Sequence, residues 1–283
     1  MTWNPPGPAL LFCPGDRPDR FQKAIDRADA VVLDLEDAVA GPDKGQARIA
    51  VAKSDLDPER TVVRIAQTSS PEHSLDVEVV RSTGYWCVML SKAESGDQVR
   101  RVADATGAVV LALVETPLGV VRANDIAEAE GCVGLMWGSE DLIVAMGGTA
   151  SRFGYLHGGP GQVPGAYRDV ARHTRSVVAL AAAAFGRWAV DAVHLDIRDE
   201  AGLLAEARDA AALGFAATGC IHPIQAAVVR RAYAPSEDQV DWARHVLAAR
   251  KHGERVIRVG GQMIDGPLFR QAEAILRRHQ AIP

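Results

Sequence analysis

A parallel (βα)8 barrel with a helical C-terminal extension is the fold this sequence predicts, on three observations. Eight short apolar runs follow one another, Ala9–Cys13, Ala30–Leu35, Thr61–Ile65, Trp86–Leu90, Val109–Val114, Gly134–Trp137, Ala192–Leu195 and Gly219–Ile221. Most are near-continuous and not alternating, as in a parallel sheet buried on both faces. Helix-like segments separate them, and strand–helix alternation closes into a TIM-type α/β barrel through right-handed crossovers. Finally, charged residues stand at the C-terminal ends of several runs: Asp34-Leu35-Glu36-Asp37, Arg64, Lys92, Glu115-Thr116 and Glu140-Asp141. The C-terminal rim of a parallel barrel is where ligands are bound.

In chain order the helix-like segments are Arg17–Ala28, Lys44–Lys53, Pro71–Ser82, Ser95–Thr106, Gly119–Glu130, Ala166–Phe185, Glu200–Leu213 and Ile224–Ala234. Ser95 stands three residues before Gln98, a capping-box spacing. Asp199 suits the N-cap of the Glu200–Leu213 segment and Gly214 its C-cap. Pro223 suits the first turn of the segment it opens. Two regions fall outside the alternation. Gly147–Gly165 is rich in Gly, Pro and Ser, and a loop of that length on the functional rim predicts a lid or a subunit contact. After residue 235 come helices near Asp238–Lys251 and Leu268–His279, with a Gly260-Gly261 break between them. The expected division is therefore a barrel over 1–235 and a C-terminal extension over 236–283, capping the barrel or reaching a neighbouring subunit.

Composition narrows the function classes. With 283 residues, 48% hydrophobic and 24% charged, the chain can bury a large core. Its net charge of −5 and the lack of any Lys/Arg concentration argue against a nucleic-acid binder. The four cysteines form no CxxC pair, and three lie in apolar runs, which reads as reduced buried thiols in a cytoplasmic protein. No secretory signal and no membrane-spanning apolar stretch is expected. The histidines show no HExxH spacing, and there is no P-loop, GxGxxG or GxSxG pattern.

The rim residues carry the chemistry. Glu115 and Asp141 are read as closing the fifth and sixth strands, so that neighbouring side chains can share one ion; two carboxylates completed by water and substrate oxygens is a common Mg2+ arrangement. The alternative is that each caps the helix after it. Asp34, Glu36 and Asp37 crowd three acids into four positions, which costs repulsion unless cations or donors offset it. Glu36 and Asp37 are read as pointing into the mouth to position water, with a solvated acidic turn as the alternative. Arg64 ends an apolar strand and fits a substrate carboxylate, or else a pairing with Glu36 or Asp37. Lys92 can support the acidic cluster; neighbouring acids keep it charged, which disfavours a Schiff base. Arg17, Arg20, Lys44 and Arg48 lie near the same rim and can receive the phosphates of a bulky ligand, or form a solvated face.

Taken in order, the runs Leu11-Phe12-Cys13-Pro14-Gly15-Asp16-Arg17-Pro18-Asp19-Arg20-Phe21, Leu33-Asp34-Leu35-Glu36-Asp37-Ala38-Val39, Val114-Glu115-Thr116-Pro117-Leu118-Gly119, Trp137-Gly138-Ser139-Glu140-Asp141-Leu142 and Cys220-Ile221-His222-Pro223-Ile224-Gln225 resemble the citrate lyase β-subunit-like family of the 2-keto-acid aldolase superfamily, which includes malyl-CoA and citramalyl-CoA lyases. The resemblance covers nearly the whole chain. It implies a (βα)8 barrel, Mg2+ on Glu115 and Asp141, and Arg64 on the keto-acid carboxylate, with Glu36 and Asp37 orienting water and substrate. It also implies that Asp265, in Gly261-Gln262-Met263-Ile264-Asp265, enters a neighbouring subunit's site as acid–base group in a homotrimer or hexamer. The implied activity is Mg2+-dependent cleavage or formation of a hydroxyacyl-CoA thioester, giving an acyl-CoA such as acetyl-CoA and a 2-keto acid. A malyl-CoA-type thioesterase and a carrier-protein-dependent lyase subunit are the alternatives. Two positions depart from the family's usual pattern: Ala66 replaces an asparagine and Ser91 a proline.

Overall fold

A computed structural model describes residues 3–154, 163–250 and 256–281. Eight parallel strands close a barrel in strict chain order: β1 (Ala9–Pro14), β2 (Ala30–Asp34), β3 (Thr61–Ile65), β4 (Cys87–Leu90), β5 (Val109–Val114), β6 (Cys132–Trp137), β7 (Trp188–Asp191) and β8 (Ala217–Cys220), with β8 pairing back onto β1. Around them run α1 (Phe21–Arg27), α2 (Lys44–Ala52), α3 (His73–Ser82), α4 (Gly96–Thr106), α5 (Pro117–Val121), α6 (Ala123–Glu128), α7 (Ser139–Ala145), α8 (Asp169–Ala184), α9 (Glu200–Leu213) and α10 (Pro223–Tyr233).

The alternation of side chains along each strand explains both the core and the rim. Leu10, Ala30 and Val32, Val62, Cys87 and Met89, and Leu111 and Leu113 belong to one buried cluster, joined by Val133, Met136, Val190, Ala217 and Trp3. Stepping two residues onward from these positions reaches Phe12, Asp34, Arg64, Ser91 and Glu115, because successive side chains on a strand point to opposite faces. The apolar filling of the barrel thus passes directly into a charged upper layer. Between β5 and β6 the register slips, Val110 pairing with Cys132 and Leu111 with Gly134. Gly134 has room for this because a Cβ there would meet the Trp188 carbonyl at 2.8 Å.

Three expectations need correction. The seventh strand is Trp188–Asp191, not Ala192–Leu195: its register with β8 ends at Asp191–Thr218, and Ala192 and Val193 continue past the strand to line the mouth. An unbroken apolar run cannot tell the paired part of the chain from the part that follows it. The capping box at Ser95 is half formed, since Ser95 accepts from the Gln98 amide while the Gln98 side chain turns to Glu94 and Thr68. The reciprocal box occurs at Ser236 and Gln239. The segment expected as one helix over Gly119–Glu130 is two, α5 and α6, meeting at Arg122. Asp199 and Gly214 cap α9 as expected, Asp199 accepting from the Gly202 amide and Gly214 standing at φ +94°.

The chain divides into two compact units, Met1–Val229 and Arg230–Pro283, a boundary inside α10 where one after residue 235 was expected. The second unit contains α11 (Glu237–Ala249), α12 (Gly266–Ala281) and an antiparallel hairpin, β9 (Ile257–Val259) with β10 (Gln262–Ile264). The Gly260-Gly261 break is the hairpin turn: both glycines have positive φ (+54° and +85°), which suits a two-residue turn joining twisted strands. Ala243, Val246, Ile264, Phe269 and Ala272 form this unit's own core. Of the long loop over 147–165, residues 155–162 lie outside the described residues; its ends are tied by a bridge between Arg152 and Tyr167. Among the described residues no helix is long and apolar enough to cross a membrane.

Candidate active site

The C-terminal rim encloses a cavity of about 210 Å3 lined by Phe12, Asp34, Arg64, Glu115, Trp137 and Asp141, among others. Pairing across β2 and β3 sets Asp34 directly beside Arg64. Asp34 grips the guanidinium through two hydrogen bonds, from Nε at 2.7 Å and from Nη2. The same carboxylate accepts the backbone amides of Glu36 (2.8 Å) and Ala38 (3.2 Å), so it also shapes the acidic turn after β2. Arg64 Nη1 lies 3.3 Å from Glu36, and its guanidinium stacks over Phe12 at 5.2 Å. Although burial opposes charge, the Asp34 carboxylate keeps Arg64 firmly protonated.

Glu115 follows β5 and is 3% exposed. Thr116, not Glu115, caps α5 by accepting from the Gly119 amide. Asp141 lies farther from its strand than expected, in the first turn of α7, where the positive end of the helix favours a carboxylate. Its helix has no side-chain N-cap bond. The capping alternative therefore fails for Glu115, and Asp141 keeps its carboxylate for the mouth. Burial, followed by the Asp141 charge, pushes Glu115 up to about 8. Gly138 allows this arrangement: a Cβ there would come within 2.6 Å of Glu115 Oε2.

Lys92 stands at the centre. Its ammonium lies 2.7 Å from Glu36, 3.2 Å from Asp141, 3.3 Å from Asp37 and 3.8 Å from Glu115. Its backbone amide donates to Glu115 at 3.2 Å. Lys92 is the one non-glycine with positive φ (+51°) among the described residues, a conformation that costs on the order of 1 kcal/mol or more. Those acids hold the ammonium charged against the effect of burial. Burial raises Glu36; Asp37 is lowered, since the Glu36 hydrogen bond and the Lys92 charge outweigh its own partial burial. Glu36 is thus enclosed, whereas the Asp37 side chain is 55% exposed at the edge of the cluster.

The site thus gathers Glu36, Asp37, Arg64, Glu115 and Asp141. The four basic residues behave differently. Lys44 donates to the carbonyls of Leu35 and Glu36 (2.8 Å each) and braces the acidic turn. Arg48 pairs with Glu72 and with buried Asp76. Arg17 pairs with Asp19 on the surface, and Arg20 is exposed. Asp265 belongs to the second unit, between β10 and α12, where its carbonyl accepts from the Phe269 amide. The Asp34 grip on Arg64 was not foreseen as a fixed pair, although strand spacing and the parity of 34 and 64 were signals for it. At the two departures, Ala66 has both backbone groups held by side chains of α3, its amide by Asp76 and its carbonyl by His73, while Ser91 is fully buried with no hydrogen-bond partner for its hydroxyl among the described residues.

Comparison with known proteins finds relatives that match nearly the whole chain. Residues 9–223 match the HpcH/HpaI aldolase/citrate lyase family. The chain is 52% identical to a citrate lyase subunit beta-like protein of Mycobacterium tuberculosis, over 98% of this chain and 97% of that one. It is 30% identical to the mitochondrial citramalyl-CoA lyase of Homo sapiens, over 95% and 84% respectively. The crystal structure of CitE from Mycobacterium tuberculosis in complex with magnesium, acetoacetate and coenzyme A superposes with a TM-score of 0.89 at 52% identity, covering 97% of this chain and 98% of that one.

Proposed function

This chain belongs to the HpcH/HpaI aldolase/citrate lyase family, and from that premise we propose that it is a Mg2+-dependent lyase that cleaves or forms a carbon–carbon bond in a hydroxyacyl-CoA thioester. The products of cleavage are an acyl-CoA such as acetyl-CoA and a 2-keto acid. One observation carries the reading: a buried carboxylate, Glu115, faces the cavity beside Asp141 with a single described hydrogen bond of its own. Such a pair fits a hard divalent ion that keeps part of its water shell. Bound there, Mg2+ supplies Lewis-acid stabilisation of negative charge developing on the substrate oxygens.

The chain's own residues do the rest. Arg64 has five N–H donors; Asp34 takes two and Glu36 lies in ion contact with Nη1 at 3.3 Å, which leaves donors for the carboxylate of the keto-acid half. Asp34 fixes the plane of that fork, so orientation of the small acid is set before it arrives. Glu36 and Asp37 orient water and substrate at the edge of the cluster. Asp265 from a neighbouring copy serves as the acid–base group, in a trimer or hexamer in which the C-terminal unit reaches the next subunit. As the hydroxyl loses its proton the carbon–carbon bond breaks; the thioester half leaves as an enolate and takes up a proton at carbon. Arg17 and Arg20 face the coenzyme A phosphates, while Lys44 and Arg48 hold the rim that presents them. The protein works in the cytoplasm.

Incubation with Mg2+ and a panel of hydroxyacyl-CoA thioesters, followed by mass analysis, tests the reaction. An acyl-CoA with a matching 2-keto acid is expected. Free hydroxy acid without keto acid points instead to hydrolysis, and turnover only with an added acyl-carrier protein to a lyase subunit. The shared site is tested separately, by mixing Asp265→Ala with Arg64→Ala protein. Partial recovery of activity is expected, and no recovery in verified mixed oligomers counts against it.

A further inference from the structure

Lys92 reaches more of the site than any residue assigned a role above. One ammonium contacts four carboxylates, and two of these, Glu115 and Asp141, are the pair proposed to hold the metal. An ammonium has three N–H donors. Glu36, at 2.7 Å, and Asp37, at 3.3 Å, accept hydrogen bonds from it, while Asp141 lies 3.2 Å away as an ion contact. The side chain is anchored from its own backbone as well, because the Lys92 amide donates to Glu115 while the residue is held at φ +51°. Four acids crowded at one mouth, two of them (Glu36 and Glu115) buried, repel one another unless a cation is fixed among them.

We propose that Lys92 is a tethered counter-cation for the metal site: hydrogen-bonded to Glu36 and Asp37, it lies within ion-pair reach of Asp141 and Glu115, offsets their charge, and gives way from Asp141 when a divalent ion enters. It is a positioning residue: it acts on the two ligand carboxylates and not on the substrate. The inference rests on the assignment of Glu115 and Asp141 as metal ligands made above. Its physical content is a competition. The ammonium keeps the two carboxylates from springing apart and so presets their spacing, but it also repels a second cation arriving within a few ångströms. Lys92 therefore lowers the affinity for Mg2+ while stabilising the metal-free protein. A residue that only supported the ligands would have the opposite effect on affinity.

The experiment is calorimetric titration of Mg2+ into metal-free protein, with thermal melting alongside, for wild type, Lys92→Met and Lys92→Arg. Methionine has similar length and adds no backbone cost at φ +51° beyond that of lysine. Lys92→Met should bind Mg2+ roughly ten- to a hundred-fold more tightly and melt lower without metal, since the repulsive charge is gone. Lys92→Arg, which keeps the charge, should retain the wild-type affinity to within a few fold. Equal or weaker binding in Lys92→Met, or an arginine variant that behaves like the methionine one, overturns the proposal. A wild type that takes up no Mg2+ sinks the metal assignment as well, which separates the two failures. If Lys92→Met does not fold, crystals of the wild type with and without Mg2+ decide. The ammonium should leave Asp141 and remain on Glu36 in the metal-bound form; an unchanged 3.2 Å contact to Asp141 with metal present overturns it.

Discussion

Glu115 and Asp191 are both carboxylates at the ends of barrel strands, 3% and 5% exposed, yet their surroundings differ completely. Asp191 closes β7 and is saturated: Arg175 donates through Nε (3.0 Å) and Nη2 (2.9 Å), and the Trp137 indole donates at 2.7 Å. Glu115 has one described hydrogen bond, from the Lys92 amide, and a second carboxylate nearby. A buried acid with fully matched donors is a strut, because removing it strands its partners. A buried acid facing another acid across a cavity is a binding site, because a cation there relieves repulsion that the Lys92 ammonium, 3.2 Å from Asp141 and 3.8 Å from Glu115, only partly offsets. Burial alone does not distinguish them; the donor inventory does.

The largest effects should come from the under-satisfied acids. Glu115→Ala or Asp141→Ala is expected to reduce Mg2+-dependent turnover by about a thousand-fold or more, as loss of a principal electrostatic element does. Undiminished turnover in the purified double variant refutes the metal assignment. Glu115→Gln should lose activity without lowering the melting temperature of the metal-free protein. Asp191→Ala should behave in reverse, costing about 3 kcal/mol of stability by leaving Arg175 with Asp209 as its one carboxylate partner and the Trp137 indole N–H unmatched, while Mg2+ affinity holds. Chemical denaturation and metal titration of the two variants together test whether the comparison survives.

Smaller effects sharpen it. Arg64→Lys removes the planar fork that Asp34 orients, and KM for the keto acid in the synthetic direction should rise by about ten- to a hundred-fold. Gly138→Ala forces a methyl against Glu115 Oε2, and should weaken Mg2+ binding by about ten-fold with little change in fold. The last is a pH effect. Glu115 titrates near 8 in the folded metal-free protein against 4.5 as an ordinary glutamate, so the folded state holds the extra proton between those values. Stability of the metal-free protein is therefore fullest below about 4.5 as far as this group is concerned, and is lost as pH rises toward 8. Mg2+ must displace that proton, so its affinity should climb by up to about ten-fold per pH unit toward 8 and then level off. Calorimetry at pH 6.5, 7.5 and 8.5 measures the slope; a flat profile means that Glu115 is already ionised.

Much of the barrel was legible because its signal is local. Continuous apolar runs of strand length, separated by capped helical segments, allow few other closures, and the order of the eight strands followed from it. The rim acids and Arg64 were legible for the same reason: each stands within three residues of a strand end, except Asp141, which needed the turn into α7 to reach the mouth. The true extent of β7 was not legible, nor was the hairpin of β9 and β10, since run length says nothing about where hydrogen-bond pairing stops or about which short segments find a partner.

What the sequence determined by itself was therefore the architecture and the inventory of charged groups on one rim, because periodicity and strand-end placement are properties of neighbours along the chain. Only the tertiary structure decided how those charges were distributed. It gave Arg64 to Asp34, Lys92 to four acids at once, Lys44 and Arg48 to bracing the rim, and left Glu115 facing Asp141. Pairing among ions depends on distances across the barrel, and residues 30 or 56 positions apart acquire those distances only when the sheet closes.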